Sequence, residues 1–108
     1  MDKNTALDVL SATERLLSAM LERNAVAGDD IVSAFFTVTQ DLRSVFPAEA
    51  ARRMGLGGVP LLCAQEIPVA GSMPRVVRVL MHFHTDRAQA GISHVYLDGA
   101  ESLRADLG

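Results

Sequence analysis

The run Pro74-Arg-Val-Val-Arg-Val-Leu-Met-His-Phe-His84 constrains this chain more than any other. Its β-branched and apolar residues read as a long strand over Arg75 to Thr85. Side chains on a strand alternate faces, so Val76, Arg78, Leu80, His82 and His84 share one side, and Val77, Val79, Met81 and Phe83 the other. Arg78 therefore lies among apolar positions. A guanidinium cannot shed its charge, and burying it unpaired is expensive. An anion must meet it. The plain alternatives are an internal partner such as Glu66 or a strand end open to water; the functional one is an anionic ligand.

Composition narrows the setting. The chain has 108 residues, enough for one domain over 1–108. Its 49% apolar and 21% charged residues are ordinary for a soluble globular protein. The lone Cys63 leaves no intramolecular disulfide and points to a reducing, cytoplasmic compartment. No apolar run nears the roughly 20 residues of a membrane span, and Met-Asp-Lys-Asn-Thr5 has no signal pattern. A net charge of −3 argues against nucleic acid, and with no Trp and one Tyr there is little to stack on bases.

Residues from about Asn4 to Asn24 read as an amphipathic helix. Leu7, Leu10, Leu17 and Leu21 form its stripe, Val9, Leu16 and Met20 widen it, and Thr5 with Asp8 forms a capping pair. Gly28 marks the turn that follows. Ile31 to Thr39 reads as a strand apolar enough to be covered on both faces. Pro47 opens a short helix running to about Met54, which stops at Gly55-Leu-Gly-Gly58. Val59 to about Gln65 is extended, Pro68 to Pro74 turns, and His94 to Leu97 is a short last strand. The fold class is α+β, a mixed sheet with helices on one side. One long helix cannot cover two faces of so apolar a sheet, so a partner subunit covers the rest or a piece is missing.

Polar groups interrupt this pattern in four segments. Phe46-Pro-Ala-Glu-Ala-Ala-Arg52 is a helix start with an arginine that solvent alone can explain. Leu62-Cys-Ala-Gln-Glu66 ends an apolar strand with a thiol, an amide and a carboxylate; a buried Cys filling space as a small hydrophobe is the plain alternative. Arg78 is the third. Tyr96 is the fourth, and a ring at a core edge explains it equally well.

Taken together and in order, these segments resemble the trimeric, Bacillus-type chorismate mutases rather than the all-helical class. The resemblance rests on Asp41-Leu-Arg-Ser-Val-Phe-Pro-Ala48, Val59-Pro-Leu-Leu-Cys-Ala-Gln-Glu66, Arg75-Val-Val-Arg-Val79, His94-Val-Tyr96 and Leu103-Arg104, and it runs the length of the chain. It implies a trimeric pseudo-barrel with sites between subunits. It also implies a cofactor-free isomerase that rearranges chorismate to prephenate, toward phenylalanine and tyrosine. The substrate is a dianion whose ether oxygen gains negative charge as its C–O bond breaks. Such an enzyme holds the folded conformer and aims fixed positive charge at that oxygen.

The resemblance assigns roles residue by residue. Arg78 matches the arginine that faces the ether oxygen. Glu66 and Cys63 match groups near the ring hydroxyl, where a carboxylate favours positive charge on the carbocycle. Tyr96 matches a residue that binds a substrate carboxylate. Leu62, Ala64 and Gln65 flank these as substrate-binding positions. Phe46 and Arg52 match a wall supplied by the adjacent subunit, and Leu103 and Arg104 a tail that closes over the site. Strict alternation puts Cys63 and Glu66 on opposite faces, so they share a site only if the strand ends there or different subunits supply them.

Two departures stand out. Glu49 occupies a position where a relative has a lysine. The family's first strand, with its Arg-Gly-x-Arg-Gly-Ala pattern and a carboxylate-binding arginine, has no counterpart here, and Lys3 does not match it. On the residues alone two other functions stay open: a weak or inactive trimer that binds small carboxylates, and a trimeric enamine/imine deaminase, which the Cys-Ala-Gln-Glu run disfavours. His82, His84 and His94 lack the supporting carboxylate or second thiol of a metal site, so no metal is expected.

Overall fold

The protein is described by a computed structural model over residues 5–100. Helix α1 spans Ala6–Arg23, strand β1 Ile31–Val38, helix α2 Ala48–Arg53, strand β2 Leu61–Gln65 and strand β3 Val77–Phe83. Single 3-10 turns cover Gly28–Asp30 and Gln89–Gly91. The sheet is mixed, in the order β2-β1-β3, with β2 parallel and β3 antiparallel to β1. A parallel pair needs a crossover, and α2 lies within the connection between β1 and β2.

The termini of α1 follow local chemistry. The Thr5 hydroxyl accepts from the Asp8 N–H at 3.1 Å and donates to the Asp8 carboxylate at 2.8 Å. This satisfies one of the orphan amides of the first turn. At the far end Asn24 is the cap, and Ala25 takes the left-handed conformation (φ 52°) that the Gly28 reading placed further on. Pro47 caps α2, and Gly55 (φ 85°) follows its end, where a residue with a Cβ is strained.

The core forms where both helices meet one sheet face. Leu10 and Leu17 of α1, Ala34 and Phe36 of β1, and Ala48, Ala50 and Ala51 of α2 form one buried cluster. The three alanines leave little side-chain bulk between α2 and its neighbours. Val79 and Met81 of β3 and Cys63 of β2 pack against this cluster from the sheet.

Three expectations need correction. Leu7 is largely exposed, while Thr13 is fully buried with its hydroxyl donating to the Val9 carbonyl at 2.7 Å. The buried face runs through Val9, Leu10, Thr13 and Leu17, and Leu7 sits about 100° round the helix from its centre. His94 to Leu97 is not a strand: among the described residues, no backbone hydrogen bond joins it to β3. Finally, within a single chain β1 is covered on one face only, and Val32 and Phe35 emerge on the other.

Phe36 is completely buried at the centre of this cluster. Phe36→Ala should cost about 3–5 kcal/mol, read as a lower denaturant midpoint with unchanged slope. A loss below about 1 kcal/mol would place the core elsewhere.

Candidate active site

The uncovered sheet face is organised in rows set by strand register. Leu62, Phe35 and Leu80 lie opposite one another across the three strands. Ala64, Thr37 and Arg78 form the next row. Glu66 directly follows β2, and its N–H donates to the Val38 carbonyl, which prolongs the parallel pairing by one step. Its side chain reaches back diagonally across the sheet. The Thr37 hydroxyl donates to Glu66 Oε2 at 2.6 Å, and Arg78 Nε stands 2.9 Å from the same oxygen.

Each strand thus contributes one member of a Glu66–Thr37–Arg78 constellation. The Glu66 side chain keeps 17% of its surface and that of Arg78 keeps 50%. The carboxylate is mostly shielded while the guanidinium projects. Among the described residues, neither terminal guanidinium nitrogen has a hydrogen-bond partner. Arg78 is oriented through Nε and keeps its outer donors available to an anion.

The approach to β3 is fixed from the other side. The Asp41 carboxylate accepts the Arg75 N–H through both oxygens, at 3.1 and 3.0 Å. The Thr39 hydroxyl donates to Asp41 and accepts the Val76 N–H at 3.0 Å. Arg75 has a φ of 53° there, an unusual conformation for a residue with a side chain. The Thr39 hydroxyl, against the opposing effect of burial and with help from the Arg75 N–H, holds the Asp41 carboxyl below its ordinary value.

A cavity of about 710 Å³ wraps the outer edge of β3. Arg78, Thr37 and Phe35 line it from the sheet, Leu16 and Met20 from α1, and Tyr96 from the segment after the second 3-10 turn. Arg78 and Tyr96 therefore face one space. Leu16 and Met20, read as part of the core stripe, line this cavity instead. Among the described residues, the Tyr96 hydroxyl has no hydrogen-bond partner.

The remaining expected residues fall elsewhere. Leu62 and Ala64 are exposed on the open face, in the rows of Phe35 and Thr37. Gln65 ends β2, paired with Val38. Cys63 is a free thiol on the opposite side, packed against the core, as strand alternation requires. Phe46 is strongly exposed just before α2. Arg52 is on α2 and pairs with Glu49 at 3.2 Å; Arg53 also reaches Glu49, at 3.9 Å. The main contacts of α2 are with α1 and β2, so Phe46 and Arg52 belong to the edge of the sheet away from β3. Leu103 and Arg104 lie outside the described residues. Among the described residues, no group of three His, Cys, Asp or Glu side chains is placed to hold a metal, and no helix is long and apolar enough to cross a membrane.

Comparison with known proteins decides the family. The chain matches the family model of type I chorismate mutases over residues 1–107. It belongs to that family. Chorismate mutase AroH of Thermus thermophilus is 48% identical over 108 residues, covering 99% of this chain and 88% of the relative. Chorismate mutase AroH of Bacillus subtilis (strain 168) is 38% identical over 108 residues, covering 99% and 85%. A chorismate mutase from Clostridium thermocellum superposes with a TM-score of 0.92 at 46% identity, over 94% of this chain and 90% of that one. The α+β fold with a mixed sheet is thus the fold of a chorismate mutase, and the sequence is of the Bacillus type.

Thr37, Asp41 and Asn24 are the polar groups that reading the sequence missed. Thr37 was within reach: alternation from Phe35 puts a hydroxyl on the Arg78 face of an otherwise apolar strand. Asp41 and Asn24 act on residues 34 and 69 positions away, and no local pattern announces that.

The lowered Asp41 carboxyl has a stated pH consequence. A group whose folded value lies below its unfolded value stabilises above the unfolded value, near 4, and loses that effect as pH falls through the folded one. Asp41→Asn should therefore lower the thermal midpoint at neutral pH, and the gap should close as pH falls toward 3. A gap that stays constant across that window would show that the carboxylate charge is not what holds the turn.

Proposed function

We propose that this chain rearranges chorismate to prephenate in a homotrimer, with each site completed by a neighbouring subunit. The observation that carries the reading is the half-exposed guanidinium of Arg78, oriented by Glu66 and opening onto the same cavity as Tyr96. In the reaction the ether C–O bond breaks as a new C–C bond forms within one molecule, so no group is transferred to the protein. Negative charge grows on the ether oxygen and positive charge on the ring.

Arg78 donates to the ether oxygen from its terminal nitrogens. A fixed donor in a partly enclosed site needs no reorganisation when charge develops. Glu66 has two tasks. It holds Arg78 through Nε, and its second oxygen lies beside the carbocycle as that becomes positive. Tyr96 binds a substrate carboxylate, and the folded conformer is held between it and Arg78. Cys63 contributes from the far side of β2 by seating that strand on the core, which sets where Glu66 begins. Leu62, Ala64 and Gln65 form the strand that carries Glu66. No cofactor enters this scheme. The single thiol suits a reducing cytoplasm.

Two features support assembly. The row Leu62, Phe35 and Leu80 leaves large apolar side chains 57%, 37% and 60% exposed on one flat face. Contiguous exposure of this kind marks an interaction surface. Phe46 and Arg52 stand at the sheet edge away from Arg78 and Tyr96, so one chain does not bring them to the cavity. In a cyclic trimer the α2 edge of one subunit closes the β3 edge of the next. Leu103 and Arg104 are proposed to complete the closure.

Arg78→Lys keeps the charge and loses the planar fork. It should reduce kcat/KM for chorismate by roughly a hundred- to a thousand-fold while the thermal midpoint stays near wild type. Near-normal turnover would refute the assignment of Arg78. Sedimentation equilibrium should give three chains per particle, and Leu80→Glu should dissociate it. A stable monomer of the unaltered chain would rule out the intersubunit site.

A further inference from the structure

We propose that Arg15 of α1 and Asn24 at its C-terminal cap are positioning residues that hold Tyr96 at the cavity wall, an inference that rests on the assignment of Tyr96 to substrate binding. The segment carrying Tyr96 is irregular rather than part of the described sheet. Residues 92–97 have no regular structure, and among the described residues no backbone hydrogen bond ties 94–97 to β3. Tyr96 nevertheless lines the cavity together with Arg78. Two polar side chains are placed to fix it there.

One belongs to α1 and the other to its C-terminal cap, and their partners stand on either side of Tyr96 in the chain. Asn24 is 5% exposed. Its Oδ1 accepts the Ser93 N–H at 2.7 Å, its Nδ2 donates to the Ser93 carbonyl at 2.9 Å, and Nδ2 also donates to the Met20 carbonyl at 2.8 Å. The amide thus exchanges with Ser93 the pair of hydrogen bonds that a neighbouring strand would exchange. The Met20 bond fixes the amide on the helix terminus. The second anchor is Arg15, whose two terminal nitrogens stand 3.4 and 2.9 Å from the two carboxylate oxygens of Asp98. Asp98 and Gly99 both have positive φ, at 53° and 89°. The chain reverses there, and the fork of Arg15 holds it as it does.

Tyr96 lies three residues after one anchor and two before the other. The anchors differ in kind. The Asn24 bonds are part-buried and join uncharged groups, so salt affects them little, whereas Arg15 and Asp98 are about half exposed and their pairing is screened by it. Losing Asn24 should therefore free Tyr96 strongly, and losing Arg15 should free it mildly and in a salt-dependent way.

The chain supplies its own reporter, because Tyr96 is its single tyrosine and it has no tryptophan. Acrylamide quenching and anisotropy of tyrosine emission, measured on the full chain without substrate, read the mobility of Tyr96 alone. Quenching should rise in Arg15→Gln and rise further in Asn24→Ala. Wild type in about 1 M salt should match Arg15→Gln, which itself should not respond to salt. Chorismate KM should rise about tenfold or more in Asn24→Ala and two- to threefold in Arg15→Gln, with kcat little changed. Arg15→Lys should restore part of the effect.

Arg15→Gln alters only an exposed pair, so it keeps the test alive if Asn24→Ala folds poorly. Unchanged quenching in folded Arg15→Gln, at low salt and high, would overturn the inference. So would a Tyr96→Phe variant with raised KM beside anchor variants with normal KM. A Tyr96→Phe variant with unchanged KM would instead overturn the role of Tyr96 in binding, whatever the quenching shows.

Discussion

The charge-assisted contact of Arg78 with Glu66, shared with the Thr37 hydroxyl, is the interaction around which this molecule is arranged. It spans all three strands, so it exists only when β2 and β3 are both in register with β1. A one-residue slip of either outer strand would turn its member of the constellation toward the helices. The core enforces that register. Phe36 and Ala34 face α1 and α2, and because side chains alternate, Phe35 and Thr37 must then face the other way. The position of the cation is thus a consequence of burying Phe36.

The same alternation explains why the face bearing Arg78 is uncovered by α1 or α2. Both helices are used on the opposite side, where Leu10, Leu17 and the alanines of α2 meet the sheet. What remains is an apolar row beside a polar one. The apolar row is the surface proposed to meet another copy of the chain, and the polar row is the proposed reacting surface. In a larger protein a second layer would cover such a face. In the proposed trimer a neighbouring subunit covers this face and adds residues to the site.

Much of this was legible in the sequence because it depends on short-range periodicity. The 18-residue helix, its Thr5 cap, the Pro47 start of α2 and the alternation around Arg78 all follow from neighbours a few positions apart. Glu66 is readable from the sequence as an internal partner for Arg78, the plain alternative to an anionic ligand, and the structure pairs the two. The family, too, could be read from the Cys-Ala-Gln-Glu and His-Val-Tyr runs. What stayed hidden depends on distant contacts. The tail around His94 to Leu97 has the composition of a strand yet hangs from the side chains of Asn24 and Arg15. Leu7 has the right residue type for the stripe and the wrong angle. Alternation sets Cys63 and Glu66 on opposite faces, and within one chain the thiol packs against the core.

The most direct test of the central claim is the steady-state kinetics of Glu66→Gln, measured beside its thermal unfolding. Gln keeps the shape and can still accept from Thr37, but the ion pair with Arg78 is lost and so is the carboxylate proposed to lie beside the carbocycle. A hydrogen bond to a charged group is worth about 1.5–3 kcal/mol. Turnover of chorismate should therefore fall by roughly ten- to a hundred-fold or more, with the thermal midpoint within a few degrees of wild type. Turnover that is unchanged or faster would show that Glu66 merely neutralises Arg78, and that the row of Glu66, Thr37 and Arg78 is not the reacting centre.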